Sequence, residues 1–403
     1  MKTYLVGGCV RDKLLGRPVK DRDWVVTGSS VEQMLELGFL QVGKDFPVFL
    51  HPKTKEEYAL ARTERKTAPG YTGFEFNASP KVSLEDDLLR RDLTINAIAE
   101  SESGELIDPF AGRKDIDKRI LRHISPAFSE DPVRILRVAR FAARYAALGF
   151  KIAEETVELM NNMVNNGEVD SLVPERVWQE THSALTEPNP EVFFESLKSC
   201  GALTRIFPEI DNLYGVPQPE KYHPEIDTGI HTMMVLQQAS KLSKDAIVRF
   251  AALVHDLGKA TTPKEEWPRH IAHEERGVPL VEVLCQRLKV PKQYRELAVL
   301  VTRYHLHYHR AAELKASTLH KTFMSLDAYR RPERFEQFLQ ACEADSRGRP
   351  GYENMDFQQP AIMRAALAAA NSVETSQLVS DGFKGKELAE KLTQLRIHAI
   401  SEV

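Results

Sequence analysis

The chain has 403 residues, of which 42% are hydrophobic, and a formal net charge of −4 at pH 7. This length and apolar content predict two to four domains with their own cores, and no apolar run approaches the ~20 residues of a membrane-spanning helix, so we expect no membrane partner. Because acidic residues outnumber basic ones, the protein as a whole carries no positive charge that would attract RNA, so RNA binding requires local basic patches.

Two regions of different pattern follow one another along the chain. Residues 1–125 alternate short β-branched runs with helical stretches, which predicts a mixed α/β domain. From residue 126 the apolar spacing is helical, and helices are predicted at 133–150, 154–165, 174–185, 192–200 and, rich in alanine, at 361–370. Residues 207–224, rich in Pro, Gly and Tyr, predict a linker. The expected fold class is α+β.

A glycine turn follows the first short strand. Gly7 and Gly8 come after the apolar run 4–6 and let the backbone approach a phosphate closely. Residues 10–15 predict a helix start, with Arg11 facing the bound anion. Gly8 and Arg11 are therefore candidate nucleotide-binding residues.

Two aspartates, Asp21 and Asp23, stand beside the strand-forming run 24–26. On a strand, residues i and i+2 share one face, so both carboxylates are expected to point the same way. Mg²⁺ takes one or two carboxylates and completes its shell with phosphate and water, so the pair predicts a catalytic Mg²⁺ site for a nucleoside triphosphate. Glu57 is a further carboxylate to which we assign no role.

Arg91 and Asp92 offer complementary contacts to a nucleotide. Arg91 can neutralise the triphosphate, and Asp92 can accept a ribose hydroxyl, which would favour ribonucleotides.

A basic stripe is predicted on the helix after residue 132. Arg134, Arg137 and Arg140 recur every three residues among apolar neighbours, which indicates a triphosphate or nucleobase partner. Asp131 and Arg134 lie at i and i+3 and can project together as one acceptor and a fork of donors. Cytosine and adenine offer an amino donor beside a ring-nitrogen acceptor, whereas uracil and guanine present a carbonyl and a ring N–H on the same edge. The pair therefore favours CTP and ATP.

These segments resemble the motifs of class II nucleotidyltransferases, the palm enzymes found among tRNA CCA-adding enzymes and bacterial poly(A) polymerases. The matching blocks are Gly-Gly-x-x-Arg-Asp, Leu-Leu-Gly, Asp-x-Asp-Trp, and the segments 90–97, 108–116 and 129–141. In that family the last block holds the amino-acid template for the incoming base. The resemblance therefore agrees with the preference for CTP and ATP that the residues themselves indicate.

A second signature lies further along the chain. His255 and Asp256 follow an apolar helical run and precede Leu-Gly-Lys, with His231 upstream and His270 and His273 downstream. Imidazole and carboxylate suit Ni²⁺, Co²⁺, Mn²⁺ or Zn²⁺, and such an ion lowers the pKa of bound water enough for phosphoester hydrolysis. The pattern resembles the HD-domain phosphohydrolases and predicts a metal site of His231, His255, Asp256 and His273.

The HD pattern usually ends in a distant aspartate, and the sequence leaves that ligand open. The run His305, His307, His309 offers histidines where a carboxylate is expected. Asp345 is a candidate on a predicted helix, but pairing with Arg347 or Arg349 explains it equally well.

A palm followed by an HD domain resembles the family of bacterial multifunctional CCA proteins. The resemblance implies a nucleotidyltransferase head at 1–125, a helical neck and body at 126–222, an HD phosphohydrolase domain at 223–330 and a helical tail at 331–403. It implies addition of CCA to the 3′ acceptor end of tRNA from CTP and ATP, and a 2′,3′-cyclic phosphodiesterase, 2′-nucleotidase and phosphatase. Two alternatives stay open: a poly(A) polymerase, and a nucleotide-binding regulatory protein whose only chemistry is HD hydrolysis.

The four cysteines are dispersed without metal or disulfide spacing, which is typical of reduced thiols. The first apolar stretch is too short for a signal peptide, so we expect a cytoplasmic protein. The sequence leaves monomer and homodimer both open.

Overall fold

A computed structural model describes residues 1–19, 21–42, 48–66, 74–221 and 223–403. The chain divides into two compact units. The first unit comprises Met1–Glu180 and Glu195–Ile206, and the second comprises Thr181–Phe194 and Phe207–Val403. Within the described ranges, no helix is both long enough and apolar enough to cross a bilayer. A strand-containing unit followed by a helical one confirms the predicted α+β class.

The strands belong to the first unit. They are β1 (Lys2–Val6), β2 (Asp23–Thr27), β3 (Leu40–Gln41), β4 (Val48–Leu50), β5 (Glu57–Leu60), β6 (Thr63–Lys66), β7 (Phe74–Asn77), β8 (Ala99–Ser101), β9 (Leu106–Ile107), β10 (Ile120–Leu121) and β11 (Lys151–Ile152). Seven form one mixed sheet in the order β3-β4-β5-β2-β1-β8-β9, and β6-β7 and β10-β11 form two ribbons. Strand β2 pairs antiparallel with β1 and parallel with β5, which makes it central.

Both faces of strand β2 are buried, which explains its unbroken apolar run. Val25 packs in one cluster with Val6 and Leu88, and Val26 packs in another with Met34. Successive residues on a strand point to opposite faces, so β2 needs adjacent apolar residues rather than alternation. This burial fixes the position of Asp23, the first residue of the strand.

The helices up to residue 206 follow the predicted pattern closely. They are α1 (Gly8–Leu14), α2 (Val31–Glu36), α3 (Leu84–Leu89), α4 (Gly112–Lys118), α5 (Val133–Tyr145), α6 (Glu154–Asn165), α7 (Pro174–Leu185), α8 (Glu191–Ser199) and α9 (Ala202–Ile206). Helix α5 ends five residues earlier than predicted, since a 3₁₀ turn follows and Gly149 adopts φ 82°.

The second unit is helical. Its helices are α10 (Pro208–Asp211), α11 (Thr228–Leu242), α12 (Ala246–Val254), α13 (His273–Arg287), α14 (Lys292–His309), α15 (Ala316–Ser325), α16 (Pro332–Arg347), α17 (Gln359–Asn371), α18 (Thr375–Ser380) and α19 (Gly385–Ser401). Helices α11, α12, α14 and α16 pack on one another around fully buried residues such as Leu236, Val254 and Phe338. The predicted alanine-rich helix is α17.

The segment predicted as a linker is structured instead. Its described part contains α10, and Phe207, Ile210, Leu213 and Val216 are at most 5% exposed. Apolar side chains between the prolines and glycines bury themselves in the second unit, so the segment belongs to that unit's core.

Candidate functional site

The first unit contains a cleft of about 550 Å³ that gathers the predicted nucleotide-binding residues. Among the described residues its lining includes Gly8, Asp23, Asp92 and Asp131, together with nine arginines: Arg11, Arg62, Arg90, Arg91, Arg134, Arg137, Arg140, Arg144 and Arg176. Such an excess of guanidinium groups over carboxylates makes the cleft a strongly positive region on a chain of net negative charge. A polyphosphate is the ligand that this charge favours.

The glycine turn lies at the floor of this cleft. Gly7 adopts φ 72°, and a Cβ there would lie 2.8 Å from Nη1 of Arg91. The positive φ therefore favours glycine, whereas the flexible end of the Arg91 side chain could move away from a Cβ. Gly8 begins α1, and Arg11 on that helix is buried and donates to Oδ1 of Asn96. The helix begins two residues earlier than the predicted 10–15, and Arg11 lines the cleft.

Of the two predicted magnesium ligands, only Asp23 lies on a strand. Strand β2 begins at Asp23, so Asp21 lies just before the strand rather than on it. The prediction that both residues share a strand face is therefore wrong, because strand pairing ends at Asp23. Burial, partly offset by Arg91, raises the pKa of Asp23, and the charge of Asp21 raises it further. The register also places Glu57 on β5 opposite Asp23.

Asp92 and Arg137 form an ion pair inside the cleft. Nη2 of Arg137 lies 2.7 Å from Oδ2 of Asp92, which is 6% exposed. Burial alone would raise the pKa of Asp92, but Arg137 and hydrogen bonds from Asn96 and the Leu93 amide lower it to about 2. Asp92 is therefore held ionised, and hydrogen bonds to both of its oxygens fix the orientation of its carboxylate.

The predicted base template is more constrained than its i, i+3 spacing suggests. Arg134 donates to the backbone carbonyls of Ala127 and Arg90, at 3.0 and 2.7 Å. Asp131 accepts from Arg176 on α7, whose Nη2 lies 2.9 Å from Oδ2. Asp131 and Arg134 both line the cleft, but each is anchored by a different partner. Sequence spacing could not reveal Arg176, since α7 reaches Asp131 only through the tertiary fold.

The arginines of the basic stripe on α5 contact other residues of the first unit and do not form a simple solvated face. Arg140 pairs with Glu180 on α7 at 2.6 Å. Phe141 lies beneath the array, and the Cζ atoms of Arg11, Arg137 and Arg140 are 5.3, 5.8 and 4.8 Å from its ring centre. Guanidinium groups stack favourably on an aromatic face, so Phe141 helps to hold like charges together. Phe141 was not among the site residues predicted from the sequence.

The second unit brings the predicted HD residues together in its core. His231 lies on α11, His255 caps the end of α12, Asp256 follows it, and His273 begins α13. All four are at most 6% exposed. Among the described residues there are three groups of three potential metal ligands: His223, Glu225 and His231; His231, His255 and Asp345; and Asp256, His273 and His305.

Asp345 is the distant carboxylate that the sequence left open. Its Oδ1 lies 2.9 Å from Nε2 of His231, and its Oδ2 lies 2.6 Å from Nε2 of His309. The alternative pairing with Arg347 is not the arrangement observed, because Arg347 pairs with Glu343 one turn back on α16. Helix α16 was assigned to the tail, yet it places Asp345 among the histidines of this cluster.

The imidazole tautomers fit a metal ion. Three histidines donate Nδ1–H to a backbone carbonyl, which can only accept: His255 to Ala252 at 2.8 Å, His273 to His270 at 2.7 Å and His305 to Thr302 at 2.9 Å. In the neutral form of each ring, Nε2 then keeps a lone pair that is directed into the cluster, as metal-binding histidines require. Among the described residues, Nε2 of His255 and Oδ1 of Asp256 are buried without a hydrogen-bond partner.

Electrostatics in the cluster favour a cation. Burial opposes ionisation of Asp256, but His255 and Lys259 keep the pKa of this carboxyl well below its usual range. Burial likewise opposes charge on His255, while Asp256 and Asp345 raise its pKa to about 10. Two buried carboxylates facing imidazole nitrogens thus attract positive charge, which a divalent ion can supply.

A cleft of about 460 Å³ opens on this cluster. Asp256, His273 and Asp345 line it, and Lys259, Arg269 and Arg349 add positive charge. An anionic phosphoester would find both ligand groups and cations there. His270 is not a further ligand, because its ring nitrogens contact Thr262 Oγ1 and the Pro217 carbonyl, each at 2.9 Å.

Comparisons with known protein families divide the chain in the same way. The model described as "Poly A polymerase head domain" matches residues 3–122, "Probable RNA and SrmB- binding site of polymerase A" matches 149–214, and "HD domain" matches 228–344. The HD match extends beyond the predicted boundary at residue 330 and includes most of α16.

Relatives and solved structures resemble the chain over its whole length. The "Multifunctional CCA protein" of Thioalkalivibrio sulfidiphilus is 62% identical over 403 residues, which cover 100% of this chain and 98% of that protein. A CCA-adding enzyme solved with CTP has a TM-score of 0.66 at 21% identity, over 99% of this chain and 87% of that one. The Thermotoga maritima CCA-adding enzyme complexed with tRNA has a TM-score of 0.65 at 20% identity, over 100% and 88%. At these identities the two structures establish a shared fold.

Proposed function

The chain belongs to the family of multifunctional CCA proteins, and from this membership we propose that it adds C, C and A to the 3′ end of tRNA. The nucleotides come from CTP and ATP, and no nucleic-acid template is used. The observation that carries the proposal is the cleft in which Asp23, the glycine turn and nine arginines converge. A second activity, metal-dependent phosphoester hydrolysis, is assigned to the second unit.

Asp23 and Asp21 would hold Mg²⁺ in the first unit, since hard carboxylate oxygens beside a phosphate-binding turn are the donors that Mg²⁺ selects. When bound, Mg²⁺ assists attack by the tRNA 3′-hydroxyl and offsets charge on the departing pyrophosphate. Gly8, Arg11 and Arg91 contact the phosphates in this proposal. Asp92, held ionised by Arg137, accepts a ribose hydroxyl.

Asp131 and Arg134 present the base-recognition edge. Asp131 accepts the amino group that cytosine and adenine share, and Arg134 donates to the adjacent ring nitrogen. Because Arg134 and Asp131 are each anchored, the edge is rigid and an incorrect base would leave buried groups unpaired. Arg137 and Arg140 complete the positive wall of the cleft.

In the second unit, His231, His255, Asp256, His273 and Asp345 would hold a transition metal such as Ni²⁺, Co²⁺, Mn²⁺ or Zn²⁺. When bound, the metal activates water for attack on phosphorus. Lys259 and the neighbouring arginines bind the phosphate. Substrates in this proposal are 2′,3′-cyclic phosphates, 2′-nucleotides and phosphomonoesters, the groups found at damaged RNA ends.

A crossed pair of variants tests both assignments. Wild-type protein, Asp23→Ala and Asp256→Ala would each be incubated with tRNA lacking CCA plus CTP, ATP and Mg²⁺, and separately with a 2′,3′-cyclic nucleotide plus Mn²⁺. We expect Asp23→Ala to lose nucleotide addition and keep hydrolysis, and Asp256→Ala to do the reverse. Addition by Asp23→Ala at the wild-type rate would contradict the head assignment. Hydrolysis by Asp256→Ala would contradict the assignment to the second unit.

Poly(A) addition is a second candidate, because the head matches a model that carries the polymerase name. Sequencing the product ends separates the two functions. A product that stops after CCA supports CCA addition, and a long adenosine tract supports the polymerase. Wild-type protein that adds nothing and only hydrolyses supports the regulatory alternative.

We propose a head at 1–125 and a neck and body at 126–206. The HD domain is extended from 207 through Arg347, since α16 supplies Asp345, and the remainder forms a helical tail. We also propose a cytoplasmic location, where tRNA, CTP and ATP occur together.

A further inference from the structure

A fully buried carboxylate, Asp87 on α3, contacts three arginines that line the nucleotide cleft of the first unit. Its Oδ1 accepts from Nη2 of Arg90 at 2.9 Å and from the backbone amide of Arg62 at 3.3 Å. Its Oδ2 accepts from Nη2 of Arg91 at 3.2 Å. We propose that Asp87 is a positioning residue for nucleotide addition, which holds the phosphate-binding Arg91 and the base-reading Arg134 in a fixed relation. This inference rests on the proposed nucleotidyltransferase function and adds a residue to it.

Arg91 connects Asp87 to the phosphate-binding part of the cleft. A Cβ on Gly7 would lie 2.8 Å from Nη1 of Arg91, so this guanidinium lies against the glycine turn. Burial raises the pKa of Asp23 and the charge of Arg91 lowers it, so Arg91 also acts on the predicted magnesium ligand. Because Asp87 binds Nη2 of the same planar guanidinium, it fixes the direction in which Arg91 presents its other donors.

Arg90 connects Asp87 to the base-recognition edge. Nε and Nη2 of Arg90 both donate to Oδ1 of Asp87, at 3.1 and 2.9 Å. The backbone carbonyl of Arg90, which caps the end of α3, accepts from Nη2 of Arg134 at 2.7 Å. Asp87 therefore stabilises, through Arg90, one of the two carbonyls that anchor Arg134. A shift of this anchor would change the position of the base-reading guanidinium.

Charge neutralisation is the simpler role that a carboxylate among arginines could have. Burial would raise the pKa of Asp87, but Arg90 and Arg91 lower it below its ordinary value, so the carboxylate is ionised. A negative charge near the cleft repels a polyphosphate, so its removal should strengthen triphosphate binding if neutralisation is its only role. If Asp87 positions the arginines, its removal should weaken binding in spite of the added positive charge. The two roles thus predict opposite changes in KM.

Asp87→Asn tests the proposal, because asparagine has nearly the shape of aspartate and lacks its charge. The full chain would be given tRNA lacking CCA, and kcat and KM would be measured separately for CTP and for UTP. We expect kcat/KM for CTP to fall by about 10–100-fold with a raised KM, since a small displacement of binding groups is costly. The preference for CTP over UTP should fall by about tenfold. A partly unfolded head would reduce both rates by one factor and change neither KM nor preference.

Asp86→Asn is the matched control. Asp86 is the preceding acid on α3, and its Oδ2 accepts from the amide and the hydroxyl of Ser83, at 3.1 and 2.7 Å, where the helix begins. The control has the same net charge as Asp87→Asn, and its side-chain oxygen can still accept from Ser83. We expect wild-type kcat, KM and CTP preference in Asp86→Asn.

Arg90→Lys tests the same network without removing the buried carboxylate. Lysine keeps the positive charge but lacks the fork that donates twice to Oδ1 of Asp87. We expect a reduced preference for CTP over UTP, because the anchor of Arg134 is then held less firmly. If Asp87→Asn does not fold, Arg90→Lys decides, and a wild-type preference in that variant would overturn the proposal.

The remaining outcomes separate the possible roles of Asp87. A KM for CTP in Asp87→Asn at or below the wild-type value would overturn positioning and leave charge neutralisation. Rates for CTP and UTP that fall by the same factor, with unchanged KM values, would also overturn it and assign Asp87 to the stability of the head. Wild-type protein that adds no nucleotide to tRNA would instead overturn the proposed nucleotidyltransferase function itself.

Discussion

Glu225 and His231 form a buried pair in which Oε1 of Glu225 lies 2.8 Å from Nδ1 of His231, and the Glu225 side chain is 3% exposed. Burial opposes the charge of Glu225, but hydrogen bonds from His223 and His231 lower its pKa to about 2. An ionised carboxylate therefore fixes the tautomer of His231 and directs its Nε2 toward Asp345.

The first prediction is that Glu225→Ala weakens metal binding by about 10–100-fold, because an outer carboxylate orients its histidine. Glu225→Gln should recover most of this loss, since its amide oxygen still accepts from Nδ1. Competition with a fluorescent chelator measures the affinity, and nucleotide addition serves as the control activity. Equal affinities in Glu225→Ala and the wild type would show that the pair has no orienting role.

The second prediction concerns base selection. Arg176→Ala leaves Asp131 with the hydrogen bond from the Val133 amide to its Oδ1 but without its ion pair. The carboxylate is then held less firmly, so selectivity for CTP and ATP over UTP and GTP should fall. Asp131→Ala and Arg134→Ala should reduce it further, by about 1–3 kcal/mol for each lost contact. Single-nucleotide incorporation rates for the four triphosphates measure the effect. Variants that lose affinity for all four equally would contradict a template role.

The third prediction is a pH dependence that involves Asp92. Its pKa in the folded protein is about 2, below the ordinary value of 3.8. A carboxyl whose pKa is lower in the folded than in the unfolded protein stabilises the fold at pH values above its unfolded pKa. This stabilisation disappears as the pH falls through its folded pKa. The shift corresponds to about 2 kcal/mol. Asp92→Asn should therefore melt below the wild type at pH 6, and the difference should shrink between about pH 4 and pH 2. A difference that stays constant over this range would contradict the assigned pKa.

The fourth prediction concerns Gly258, which lies in the 3₁₀ turn after Asp256. A Cβ there would lie 1.9 Å from the carbonyl oxygen of His273 and 2.6 Å from the Gly277 amide nitrogen. Gly258→Ala must therefore displace the start of α13, and we expect metal affinity to fall at least tenfold, with about 1–3 kcal/mol of destabilisation. Gly104→Ala is the control, since a Cβ there meets no atom within 4 Å and only the positive φ is strained. Wild-type metal affinity in Gly258→Ala would contradict this packing argument.

Local patterns were sufficient for the elements and for residues close in sequence. The predicted helices 154–165 and 174–185 have the observed bounds of α6 and α7. Their apolar spacing and the Asn-Gly and Pro-Asn-Pro breaks act within a few residues, which is the range over which helix formation is decided. The same reasoning placed Gly8 and Arg11 at one turn, and His255 with Asp256 at the end of an apolar helix.

The sequence by itself thus determined the α+β class, the two chemistries and most candidate site residues, whereas only the tertiary structure decided which distant side chains meet. Asp131 meets Arg176, and His231 meets Asp345, through the packing of separate helices. Helical periodicity states which face of a helix is buried but not which helix covers it. For Asp345 the alternative partners Arg347 and Arg349 lie only two and four residues further along the chain. Burial of α16 against α11 and α14 decided in favour of the histidines, because a carboxylate enclosed in a core requires a partner there.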